Sequence, residues 1–253
     1  MPKKLNIQKL KLVITRCSII LTIIFVVWFS IFWAKNKYTF SKPYITINGA
    51  SVLNKIIYIE YLKDIGIDST NIKSDFILES LYKHPYIDAA RLSHRYPNRI
   101  IIDISERSPF VMLNKDPMIM LDHESYVLPN IENIDGYNIP TLSKYNNASE
   151  LYPIGKQSLS IKIKETISWL KKLNTKYPDL YNKISEITLA SEDEIILILE
   201  ENPTRIMLGN NNTFRKLEIL KNFEKTLNNK KKITDYAYLD MRYDNQIIAK
   251  EQR

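Results

Sequence analysis

Hydrophobic and polar positions divide the chain into three regimes. From Cys17 to Ala34 no residue is charged and none is proline. A helix of that length, at ~1.5 Å per residue, reaches roughly 27 Å, about the thickness of a bilayer's hydrocarbon core. Val13 and Ile14 lengthen it below Arg16, whose side chain can snorkel to the interface. A cleaved leader would have an apolar run of about 7–15 residues closed by small residues. Phe32-Trp33-Ala34-Lys35 offers no such closure. Residues 17–34 are therefore expected to form a transmembrane helix behind a tail of residues 1–16, with Trp33 placed as an interfacial anchor.

In the second regime the period switches between two and 3.6. Tyr44-Ile-Thr-Ile-Asn48 alternates as a strand closed by Gly49. Val52, Ile56, Ile59 and Leu62 recur at helical spacing, with Ser51 as the expected cap and Gly66 as the left-handed stop. Ser74 is placed to cap a second helix carrying Ile77, Leu78 and Leu81 on one side, and Pro85 forces its end. Strands at Ile87–Arg95 and 100–106 flank a Pro97-Asn98 turn, and Ile100, Ile102 and Ile104 share a face. The order strand-helix-helix-strand-strand predicts a small α+β layer, one sheet with both helices on one face.

Residues 108–250 read as a second unit. Short strands are expected at Val111–Leu113, 118–121 and 126–128, around a turn at Asp122-His123-Glu124-Ser125. A helix follows over 163–173 with Ile163, Ile167 and Leu170 in one stripe and Trp169 flanking it. Strands resume at Ile184–Leu189, 194–199 and 204–208. A helix over 212–228 then turns Phe214, Leu217, Leu220 and Phe223 inward and leaves Lys216, Lys221 and Lys225 as a solvated face. The closing segment, 236–250, alternates like a strand on both sides of Asp244-Asn245.

Charge sharpens this picture. The formal net charge of +8 sits entirely before residue 43: Lys3, Lys4, Lys9, Lys11, Arg16, Lys35, Lys37 and Lys42, with no acid among them. The rest of the chain is formally neutral, so it is poorly suited to neutralise phosphates, and nucleic-acid binding is not expected. Five of the cations precede the apolar span and three follow it. The excess of cations on the N-terminal side predicts a cytoplasmic tail and an exported body.

Enzyme chemistry finds little support. With 5 glycines and 1 cysteine, the sequence has no glycine-rich phosphate cradle, no multi-thiolate metal site and no internal disulfide. His84, His94 and His123 stand far apart, and no His-Glu-x-x-His, Gly-x-Ser-x-Gly or P-loop pattern occurs. Asp122, His123 and Glu124 are adjacent on a tight turn, where side chains diverge and no nucleophile is near. The expectation is no catalytic residue, no cofactor and no metal.

Pro85-Tyr-Ile-Asp-Ala-Ala90, followed by Arg95-Tyr96-Pro97 and Glu106-Arg107-Ser-Pro109, resembles the POTRA module of the FtsQ/DivIB bacterial cell-division family. Leu121-Asp122, Leu208-Gly209 and Asp240-Met241-Arg242-Tyr243 resemble further motifs of the same family, so the resemblance covers nearly the whole chain. It implies an α+β protein: a single transmembrane helix, a POTRA domain at 43–107 and a mixed β domain with flanking helices at 108–250. It further implies a non-enzymatic divisome scaffold, single-pass in the bacterial inner membrane at the septum, with its body on the extracytoplasmic side. The implied partners are FtsB and FtsL, and through them the FtsW and FtsI peptidoglycan synthases.

Within that resemblance, the binding element is a C-terminal edge strand whose free backbone groups pair with an extended segment of FtsB. The candidate partner-binding residues are Tyr243, Asn245, Gln246, Ile247 and Ile248, with Gln246 standing where many members have glycine. The alternative is another POTRA-containing factor of envelope assembly or translocation. Such a factor would usually continue into repeated POTRA modules or a membrane barrel, and residues beyond 108 show neither pattern. An envelope enzyme is the third reading.

Overall fold

The structure is a computed structural model and describes residues 7–39, 44–67, 74–95, 99–130, 138–227, 231–243 and 246–252. The Pro97-Asn98 turn and the Asp244-Asn245 turn lie outside the described residues. Helix α1 spans Ile7–Thr39. Within it the stretch Lys11–Lys35 has a mean hydropathy of 2.4 and none of it is buried in the protein, as a single-pass membrane anchor requires. Beyond α1 the chain is a mixed α+β protein, in agreement with the fold class expected from the sequence.

The chain divides into two units, residues 1–81 with 90–104, and residues 82–89 with 105–253. The first contains β1 (Tyr44–Asn48), α2 (Lys55–Asp64) and α3 (Ser74–Tyr82), and shares β2 (Ile87–Arg95) and β3 (Arg99–Glu106) with the second. The sheet order is β1-β3-β2, with β1 parallel to β3 and Ile47 opposite Ile102. Ile100, Ile102 and Ile104 are buried on one face of β3, as the alternation predicts. Gly49 follows β1 at φ 88°, and a Cβ there would stand 2.1 Å from the Ile104 carbonyl oxygen, so no other residue fits without moving β3.

Helix α2 departs from its sequence reading. Its cap is Asn54, whose side chain accepts the Ile56 amide at 3.0 Å, and not Ser51. Its buried residues are Tyr58 and Leu62, while Ile56 is exposed. Apolar residues surround this short helix, so spacing alone did not select the inward face. Its end does follow the sequence. Gly66 takes φ 83° and donates to the Lys63 carbonyl at 2.9 Å, while Ile67 donates to Leu62 at 3.0 Å. This is a Schellman stop with Leu62 and Ile67 both buried over it.

The second unit holds a nine-stranded mixed sheet. Its further strands are β4 (Val111–Leu113), β5 (Ile119–Leu121), β6 (Val127–Pro129), β7 (Thr141–Ser143), β8 (Ile184–Leu189), β9 (Ile195–Leu199), β10 (Arg205–Gly209), β11 (Tyr236–Asp240) and β12 (Ile248–Glu251). They run in the order β12-β11-β10-β9-β8-β7-β4-β5-β6. Helices α4 (Ile161–Lys176), α5 (Pro178–Asn182) and α6 (Thr213–Thr226) supply Ile163, Leu170, Leu180, Leu217 and Leu220 to the same core as Leu113, Leu142, Leu197 and Leu239 of the strands. Burial of these aliphatic side chains is the main force holding helices to sheet, at roughly 1.5–3 kcal/mol each. Trp169 is itself buried rather than flanking the core.

A second correction concerns α6. Lys216 is 5% exposed and belongs to the inward side, not to a solvated face. Its ammonium donates to the Leu208 carbonyl at 2.7 Å and to Asn211 Oδ1 at 3.0 Å. A buried ammonium is tolerable only with such partners. Lys221 is half-buried and pairs with Glu224 at 2.7 Å.

Candidate functional site

The two ends of the nine-stranded sheet differ in how their backbone groups are used. At β6 the outward groups are all engaged. Val127 donates its amide to the Lys156 carbonyl at 2.9 Å and accepts the Gly155 amide at 2.8 Å. Two residues on, Pro129 has no amide to offer, and its carbonyl accepts the Tyr86 hydroxyl at 2.5 Å. Ser158 adds a bond to the Ser125 carbonyl at 2.8 Å. The segment 155–158 is thus a strap along the β6 edge, and a strand arriving there finds no free ladder.

At the other end β12 pairs antiparallel with β11, placing Asp240 opposite Ile248, Leu239 opposite Ala249 and Tyr238 opposite Lys250. Gln252 donates to the Asp235 carbonyl at 3.0 Å, so alternation turns the amides of Ile248 and Lys250 toward β11 and those of Ala249 and Glu251 to the open side. No backbone partner meets those outward groups among the described residues. All four residues of β12 are exposed. The strand is tied down at its end by the Lys231–Glu251 ion pair and beneath by Lys250 over the Tyr238 ring.

The turn leading into β12 is built on Asp240 and Arg242. Arg242 Nη2 donates to Asp240 Oδ2 at 2.7 Å, its Nε to Oδ1 at 3.0 Å, and its backbone amide also reaches Oδ1 at 3.1 Å. Asp240 is buried, and the Arg242 guanidinium holds its carboxyl below the usual carboxylate range against the opposing effect of burial. Arg242 reaches on to Glu194 at 3.5 Å. This ordered guanidinium fixes where the chain leaves β11.

The sequence-predicted residues separate into different roles. Ile248 opens β12 and is exposed. Ile247 is half-buried and packs against the core. Tyr243 is exposed and, with Gln246, lines a cavity of about 120 Å³ whose other walls are Asn212, Arg215, Lys216, Ile219 and Met241. Asn245 lies outside the described residues. Sequence reasoning missed Ala249, Lys250 and Glu251, which form the strand itself. The alternation across 236–250 pointed to Ala249 and Lys250, with Glu251 just beyond that segment, but the motif resemblance drew attention to the turn instead. It also missed Lys216 and Arg215 beside the cavity, since a lysine in a helix gives no local sign of burial.

The three histidines remain apart. His94 Nε2 meets Ser74 Oγ at 2.8 Å, His84 Nδ1 accepts the Tyr86 amide at 3.3 Å, and His123 lies edge-on to Phe110 at 5.7 Å. Burial pushes the His84 imidazole below its ordinary value. Asp122 sits in a polar turn, where its Oδ1 accepts the amides of Glu124 and Tyr126, each at 2.8 Å. Among the described residues no group of His, Cys, Asp and Glu gathers as a metal site.

A family model described as FtsQ/DivIB, C-terminal related, matches residues 114–250. The cell division protein FtsQ of Syntrophotalea carbinolica is 24% identical over 191 residues, 75% of this chain and 66% of that protein. The cell division protein FtsQ of Geotalea daltonii is 22% identical over 174 residues, 68% of this chain and 62% of the relative. That of Myxococcus fulvus is 20% identical over 168 residues, 66% and 58% respectively. The chain therefore spans just under two thirds of the length of these relatives, or less. The matched region runs from the end of β4 into β12, and so takes in most of the nine-stranded sheet with the paired Asp240 and Arg242 that lead to its open edge. With more than half of its residues inside that match, the chain belongs to the FtsQ/DivIB family.

Proposed function

We propose that this protein is a non-enzymatic scaffold of bacterial cell division which binds an extended segment of FtsB, in complex with FtsL, along the open side of β12. Through that contact it helps control septal peptidoglycan synthesis by FtsW and FtsI. The observation that carries the reading is the asymmetry of the sheet: β6 is closed by the strap and Tyr86, while Ala249 and Glu251 present backbone groups to solvent. Strand addition draws its affinity from such main-chain groups and its selectivity from neighbouring side chains. Tyr243, Asn245, Gln246, Ile247 and Ile248 supply that selectivity at the turn.

The membrane arrangement follows from α1. Five cations before the apolar span and three after it favour a cytoplasmic tail and an extracytoplasmic body, which α1 anchors at the division septum. A photoreactive residue in place of Ala249, activated in dividing cells, tests the reading. The expected crosslink is to FtsB. A crosslink to an unfolded envelope substrate would assign the protein to envelope assembly or translocation, and none at all would remove β12 as the docking edge.

A further inference from the structure

Helix α4 carries Lys162, Lys164, Lys171, Lys172 and Lys176. Lys162 lies 3.8 Å from Asp193 and Lys176 lies 3.4 Å from Glu218. Lys164, Lys171 and Lys172 make no ion pair among the described residues, and these three line one wall of a groove of about 440 Å³. The opposite wall is the turn His123-Glu124-Ser125 with Gln157, whose carboxamide donates to the Glu124 carbonyl at 3.2 Å. Ile167, buried, forms the floor. The acid in this lining, Glu124, faces Arg107 at 3.8 Å, so its charge is shared with a cation outside the groove. Glu165, exposed on the same face of α4, lies outside the lining, so the groove itself is left positive by its three lysines within a body whose formal charges cancel.

An apolar element adjoins the basic one. Ile161 is 75% exposed and begins α4, and the spacing of 161, 164, 168 and 171 places it at the head of the lysine stripe. Leu159 and Ile154, just before it in sequence, are also exposed. Lys164 and Lys171 are seven residues apart, about 10.5 Å along the helix axis. Carboxylates three residues apart in a polyproline II segment, with three residues per turn and about 3.1 Å per residue, share one face and stand roughly 9 Å apart.

We propose that the outer face of α4 and its groove bind an acidic peptide segment of a partner protein, with carboxylates on Lys164, Lys171 and Lys172 and an apolar side chain against Ile161. Charge complementarity selects an acidic ligand. The exposed isoleucine selects a peptide over a phosphate-bearing polymer, to which an apolar side chain offers nothing, and the 123–125 turn that walls the groove opposite the lysines fits an entering chain rather than a flat lipid surface. The surface is separate from β12 and does not depend on the strand-addition reading.

The test is fluorescence anisotropy of a labelled Leu-Glu-Ala-Ala-Glu-Ala-Ala-Glu peptide with the full chain in neutral detergent. The combined Lys164→Gln, Lys171→Gln and Lys172→Gln variant should bind about tenfold more weakly, and Ile161→Ser should weaken binding without changing its salt dependence. The Lys162→Gln, Lys176→Gln variant should bind like the parent. All of these positions lie on the helix surface, and circular dichroism confirms that the fold is kept. Equal losses from both lysine sets would reduce the effect to general charge and overturn the proposal, as would absence of peptide binding. Binding of polyphosphate or phosphatidylglycerol vesicles through the same three lysines, with the peptide unbound, would overturn it in favour of a phosphate surface.

Discussion

Arg107 and Asp122 form an ion pair at 2.8 Å in which both side chains are largely withdrawn from water. The same guanidinium meets Asp88 at 2.8 Å and lies 3.6 Å above the Tyr126 ring. Two short sequence motifs, Glu-Arg-x-Pro and Leu-Asp, thus form one network that fixes the turn between β5 and β6. Replacing Asp122 with alanine strands Arg107 and frees the two amides that its carboxylate accepts. Asp88, half exposed, retains part of the compensation. The expected loss is about 3 kcal/mol, read as a lower denaturant midpoint of the full chain in neutral detergent. An unchanged midpoint would show that the pair contributes no net stability.

The elements most readable from sequence are those in which one face is buried. Ile100, Ile102 and Ile104 alternate because the sheet they line has a dry side, and α4 shows its stripe for the same reason. Strand β7, at three residues, is too short to show a period, and no turn motif beside it gave the reading that β5 and β6 took from Asp122–Ser125. Thr141–Ser143 becomes a strand only through parallel pairing with β4 and β8. The burial of Lys216 depends on the Leu208 carbonyl and the Asn211 side chain, whose positions are set by tertiary structure. The strap at 155–158 rests on backbone bonds to Val127 and Ser125, which leave no trace in residue type beyond Gly155 at φ 74°. The turn at Asp240–Tyr243 and a terminal edge strand were readable from the family motif, whereas the residues that form that strand, and which of their amides face outward, needed the register of β12 on β11.

The Asp240–Arg242 contact predicts an acid-sensitive site. A carboxyl held below its ordinary value in the folded state contributes stability that is complete above the unfolded value, about 3.9, and is lost as pH falls through it toward the lower folded value. Arg242→Gln removes the largest cause of the depression, the guanidinium, and leaves the backbone amide and Lys216. The variant should be less stable than the parent at neutral pH, and the gap should narrow as pH drops below about 4. Chemical unfolding at pH 7 and pH 3 measures both. A gap independent of pH would assign the effect to packing rather than to charge.

The strap accounts for why the nine-stranded sheet offers β12 and not β6 as an open edge among the described residues, and it can be released. Gly155 adopts φ 74° and donates its amide to Val127, and proline can satisfy neither condition. Gly155→Pro should lift the strap, remove hydrogen-exchange protection from the Val127 amide and expose a second edge. Such an edge is a template for pairing with another copy. Sedimentation should then show concentration-dependent self-association beyond that of the parent. A variant with Val127 still protected and no added association would mean that β6 is closed by other contacts.

The two faces of β12 separate binding from folding within adjacent residues. Ala249→Pro deletes an amide that points to the open side, and an edge strand tolerates proline there because no ladder bond is lost. Lys250→Pro deletes an amide that alternation turns toward Tyr238, and should cost about 1 kcal/mol of stability by breaking the protein's own pairing. The first variant should therefore melt with the parent yet lose most of its affinity for an FtsB segment, if the partner is the one proposed above. The second should melt earlier and bind only as well as its remaining folded β12 allows. Thermal unfolding and titration with the same segment distinguish the two. Parental affinity in Ala249→Pro would mean that the partner does not pair with the outward amides, and the docking contact would then have to lie with Tyr243 and Gln246 at the cavity beside α6.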